Sequence, residues 1–142
     1  MKKVFLLTIA TLLTALAIHA QDLKSKDVPA VVKSALQKKY PEAKGVSWEK
    51  EKGNYEGNWG GKSGEDHSVQ FSPSGEFLEM VNAIPVSELP KPVSAYTREH
   101  YKGAKITEAG RVTDARGKIS YEAEVHGKDI IFDENGNFVK AE

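Results

Sequence analysis

Phe132-Asp133-Glu134-Asn135-Gly136-Asn137-Phe138 has an earlier echo in Phe71-Ser72-Pro73-Ser74-Gly75-Glu76-Phe77. Each stretch sets an aromatic before a turn, a Gly within it and an aromatic after it, the pattern of a β-hairpin tip. Gly suits such a turn because φ > 0 costs it no steric strain. The two stretches lie 61 residues apart, and the same offset relates Pro29 to Pro90, Val32 to Val93, Tyr40 to Tyr101, and Ala43-Lys44 to Ala104-Lys105. The spacing predicts a tandem repeat.

Working back from each hairpin, a helix opens each copy. Asp27 is a candidate N-cap and Pro29 fits the first turn, where its missing N–H costs nothing. Val28, Val32, Ala35 and Leu36 share a helical face, and Pro41 ends the helix near Tyr40. Asp22 to Lys26 reads as a polar lead-in. The second helix runs from near Leu89 to about Tyr101, with Pro92 tolerable only in its first turn. After each helix the hydrophobic period falls to 2. Strands are predicted at Val46–Lys50, Asn54–Trp59, His67–Phe71 and Glu76–Val81, then at Ile106–Thr113, Lys118–Val125, Asp129–Phe132 and Asn137–Lys140.

Alternation assigns Trp48, Tyr55, Trp59, Val69, Phe71 and Phe77 to the helix-covered face, matched by Tyr121, Val125, Ile130, Phe132 and Phe138. The opposite face receives Glu49, Glu56, Asn58, Gln70, Glu122 and Glu124, with Leu78, Met80, Ile131 and Val139 among them. An antiparallel sheet can leave such a face in water. The expected fold class is α+β, with helices packed on one face and the other face open.

Residues 1–20 read as a signal peptide: Lys2-Lys3, an apolar run from Val4 to Ile18, then Ala20 before Gln21-Asp22. Cleavage is placed after Ala20, with Ala17 as the alternative. Loss of this segment leaves 18 basic and 20 acidic residues and no cysteine, so no lipid anchor or disulfide is available. The near-neutral balance gives no basic face for nucleic acid. No later segment has the roughly 20 apolar residues of a membrane span. The expected compartment is the periplasm or the exterior.

The duplicated (Val/Leu)-Pro-x-x-Val helix start, the Tyr-x-x-Ala-Lys at its end and the Phe-x-x-x-Gly-x-Phe hairpin resemble the PepSY-like proteins. That family is also described as β-lactamase-inhibitor-like and is common among exported proteins of Bacteroidetes. The resemblance implies two helix-plus-four-strand repeats, here residues 21–85 and 86–142, sharing one curved antiparallel sheet as a single structural unit. It also implies a role in binding or inhibiting other proteins. Its motifs are structural, and no partner-contact motif carries over.

Other patterns have simpler explanations. Gly61-Lys62-Ser63 lacks the first Gly of a phosphate loop and leads into no helix. Asp133-x-Asn135-x-Asn137 resembles the start of a calcium loop but lacks its later Gly and bidentate Glu. Glu122 and Glu124, two apart on a strand, could form an acid–base pair, yet a solvated sheet face produces the same pattern. His67, His100 and His126 show no close ligand spacing. Trp48 and Trp59 alternate with the buried set and read as core. Neither a catalytic residue nor a cofactor or metal site is assigned.

The resulting expectation is a non-enzymatic binding module whose open sheet face engages a protein or peptide through Glu56, Met80, Glu122, Glu124, Ile131 and Val139. A small-molecule- or metal-responsive envelope protein is the alternative.

Overall fold

A computed structural model describes residues 21–142; the leader read over residues 1–20 lies outside the described residues. The elements are β1 (Gln21–Leu23), α1 (Ala30–Lys39), β2 (Ser47–Glu51), β3 (Asn54–Trp59), β4 (His67–Phe71), β5 (Phe77–Ala83), α2 (Lys91–His100), β6 (Ala109–Asp114), β7 (Ile119–Val125), β8 (Lys128–Asp133) and β9 (Phe138–Ala141). The nine strands form one antiparallel sheet in chain order. The α+β class holds.

Two details at the N-terminal side differ from expectation. The polar lead-in contains β1, because Leu23 pairs with Trp48 and packs against the first core. Asp27 ends a short 3-10 turn at Ser25–Asp27, and the helix cap falls on Pro29. Pro90 caps α2 with nearly the same backbone angles, φ −53° and ψ 140° against −54° and 140°. A fixed φ and a missing N–H make proline a ready boundary residue. Both helices close at a tyrosine, whose N–H donates to the Leu36 or Thr97 carbonyl.

Val28, Val32 and Leu36 pack with Trp48, Trp59, Val69, Phe71 and Met80 in one core. Leu89 and Val93 pack with Ala109, Ala123, Val125, Ile130 and Phe132 in a second. The register joins them on one face, since Met80 lies opposite Thr113, and Thr113, Arg111 and Ala109, the partner of Ala123, alternate onto that same face of β6.

That placement corrects the assignment of Met80 to the open face. Gln70 pairs with Glu79 but Phe71 pairs with Phe77, so Leu78 is an extra residue, a β-bulge. A bulge shifts the alternation by one, which turns Phe77 and Met80 to the same side and Glu79 to the other. The same irregularity recurs in β9, where Ile131 pairs with Lys140 and Phe132 with Phe138, leaving Val139 over.

The sheet also curls. In a flat sheet the β2–β3 turn and β9 would be separated by six or seven strand spacings, roughly 30 Å. Instead the Lys52 ammonium in that turn donates to Glu142, just past β9, at 3.0 Å. The face without helices is therefore the inner, concave one.

Candidate binding face on the inner side of the sheet

Strand pairing sets Asp22, Glu49, Glu56, Gln70 and Glu79 in one row across β1 to β5. On β7 and β8, Glu122 lies opposite Ile131 and Glu124 opposite Asp129. Curling brings these rows together around a hollow of about 400 Å³, lined by ten carboxylates and one lysine, Lys52. Opposite residues in an antiparallel pair share a face, so Ile131 belongs beside Glu122.

Few of these carboxylates have strong local partners. The Gln70 amide donates to Glu51 at 3.3 Å and to Glu56 at 3.2 Å. The Thr107 hydroxyl donates to Glu124 at 2.6 Å. Glu142 accepts from both Lys52 and Lys140, which holds its carboxyl below the usual range. The interior behaves oppositely. Burial, reinforced by Asp129, Glu79, Glu56 and Glu142, pushes Glu122 up to about 7. Glu79, Asp129, Glu49 and Glu51 are also raised, in each case first by burial and then by neighbouring carboxylates. Removing water and adding like charge both disfavour the ionised form.

Of the residues expected at the site, Glu56, Glu122 and Glu124 meet in the hollow, and Ile131 shares their face. Met80 lies behind the sheet in the core. Val139 stands at the edge bulge, 55% exposed. Glu49 was expected on this face but not at the site, and Glu51, Glu65, Glu79, Glu108, Asp129 and Glu142 were missed. A bulge-corrected alternation exposes Glu79 to the hollow, whereas Glu142 joins only through the curl.

The Asp133 loop has a structural role. Asp133 accepts the backbone N–H groups of Asn135 and Asn137 at 2.9 Å each, and the Asn137 amide at 3.0 Å. These bonds organise the hairpin turn. On the helix side, a hollow of about 530 Å³ adjoins Tyr40, Trp59, His67 and Phe77. Its groups already engage one another: His67 Nδ1 bonds Asn82 at 2.8 Å, and the Lys39 ammonium sits 4.2 Å from the Phe77 ring centre. No helix among the described residues is long and apolar enough to cross a membrane.

The profile of a family described as "Putative beta-lactamase-inhibitor-like, PepSY-like" matches residues 15–59 and 61–140. Among solved structures, a "putative periplasmic" protein of Bacteroides eggerthii superposes with a TM-score of 0.66 at 21% identity, covering 81% of this chain and 88% of that one. A DUF2874 family protein of Bacteroides uniformis gives 0.65 at 24% identity, covering 80% and 88%. A BLIP-like protein of Bacteroides fragilis gives 0.58 at 21% identity, covering 80% and 84%. At these identities the likeness is one of fold. No curated protein matches the chain.

Proposed function

The chain belongs to the PepSY-like, beta-lactamase-inhibitor-like family, and from that footing we propose that it is a non-enzymatic, exported protein that holds another protein or a peptide against the inner face of its sheet. The carrying observation is the inner face itself. Two helices cover one side of the sheet, while the other side curls into a hollow lined by ten carboxylates, with Ile131 beside Glu122. An apolar contact set among charges offers both desolvated contact and orientation to a partner.

The leader read over residues 1–20 supports export, as does the periplasmic description of the Bacteroides eggerthii relative. The BLIP-like description of the Bacteroides fragilis relative favours a protein as occupant. The segments 21–85 and 86–142 read as two copies of one unit sharing a sheet. Helices, bulges and glycine turns that recur at the 61-residue offset support that reading.

Site-specific photo-crosslinking in the cell envelope tests the proposal. A benzophenone side chain at position 131 should give a discrete crosslinked species, and one at the exposed Val31 of α1 should not. Ile131→Asp should fold yet abolish capture, because the contact would desolvate a charge. Equal crosslinking from both positions, or none from 131, contradicts the inner-face assignment.

A further inference from the structure

Resting on the inner-face reading, we propose that the occupant is a lysine- or arginine-rich segment, and that the face weakens its hold as the medium turns mildly acidic. Charge complementarity supplies the first half. Among the described residues, ten carboxylates line the hollow against Lys52 alone, and Lys52 is itself engaged at the rim by Glu142 at 3.0 Å and Glu51 at 3.8 Å. The interior carboxylates repel one another, and the neutral Gln70 amide and Thr107 hydroxyl that donate to Glu51, Glu56 and Glu124 bring no positive charge. An acidic partner would add like charge, and a neutral one would bury carboxylates without pairing them; both are costly. Ammonium or guanidinium groups on long stems reach into a hollow of about 400 Å³ where a folded surface would not.

The geometry around Glu122 supplies the second half. On the inner face of β7 it lines one hollow with Glu56 from β3, Glu79 from β5, Asp129 from β8 and Glu142 beyond β9. Glu65, Glu108 and Glu124 line the same hollow. The nearby cations are Lys52 and Lys140, and both are bound to Glu142. Among the described residues, Glu122 therefore has carboxylate neighbours and no cation of its own. Burial and these neighbours raise it to about 7. A bound cation favours ionised Glu122, so binding and deprotonation are linked. The hold strengthens as pH rises through that range, and association there expels protons. Glu79 and Asp129, raised by burial and by neighbouring carboxylates, act in the same direction.

The test uses the chain purified from the envelope fraction and a fluorescent octalysine peptide, whose charge is constant between pH 6 and pH 8. At low salt, binding should be roughly tenfold tighter at pH 8 than at pH 6, the size expected for one added nearby charge after screening. Calorimetry in buffers of different ionisation enthalpy should register proton release near pH 7. Glu122→Gln should cut the pH ratio to about threefold or less, leaving the effect of the remaining raised carboxylates. Equal octalysine affinity at both pH values would overturn the switch while leaving the docking surface standing. A full pH ratio retained in Glu122→Gln would overturn the role of Glu122. Failure of octalysine to bind at pH 8, or equal binding by an uncharged peptide of that length, would overturn the basic partner and the switch together. In that case the crosslinking at position 131 still decides whether the face docks anything.

Discussion

Gly136 meets two requirements at once. Its φ is +85°, and a Cβ built there would lie 2.8 Å from Pro90 Cβ and 3.2 Å from Pro92 Cδ. The hairpin tip thus rests against the start of α2, as the Gly75 tip rests against Val31 of α1. Gly136→Val should cost about 2 kcal/mol or more, combining left-handed strain with a clash against a rigid ring. Asn137→Ser removes an exposed amide bond to Asp133 and should cost under about 1 kcal/mol. Equal urea midpoints for the two variants would contradict this. The turn was legible in Asn135-Gly136, but its seat on the prolines was not, because that contact spans some 45 residues. Glu122 illustrates the converse. Alternation placed it on the correct face, yet its burial depends on strands distant in sequence. Its folded pKa of about 7 exceeds the ordinary 4.5, so the stability involved is intact below about 4.5 and drains as pH rises through 7. Glu122→Gln should therefore stabilise the fold by on the order of 2 kcal/mol at pH 8 and hardly at pH 4.5. Urea unfolding at both values checks this, and a pH-independent effect would refute it.

Among the elements, both helices ended at the tyrosines that the sequence indicated, and β3 and β4 fell on their expected residues. Proline punctuation and strict alternation are local signals, which explains that success. The bulges at Leu78 and Val139 left no such signal, since an inserted residue preserves apolar content while reversing parity. Reading β5 as unbroken therefore sent Met80 to the wrong face. The two residues now make opposite predictions. Met80→Ala should cost about 2–4 kcal/mol by opening a cavity in the first core, whereas Leu78→Ala at the bulge should cost under about 1 kcal/mol. Thermal unfolding of the pair measures the difference; equal losses would mean that the bulge does not turn Met80 inward.

At the scale of the molecule, β5–β6 pairing joins the two helix-covered cores into one sheet. Twist and bulges accumulate along nine strands until the β2–β3 turn reaches Glu142. No short window of sequence carries that sum. The acidic residues were thus visible individually, but their convergence was not. The central claim is that this converged inner face is where the chain binds. Amide shift mapping at pH 8, with octalysine added to uniformly labelled protein, tests it most directly. The largest shifts should fall at Glu56, Gln70, Glu79, Glu122, Asp129 and Ile131, with Val32 of α1 and Val93 of α2 unmoved. Shifts concentrated on α1, α2 or the Tyr40–Phe77 side of the sheet would contradict it.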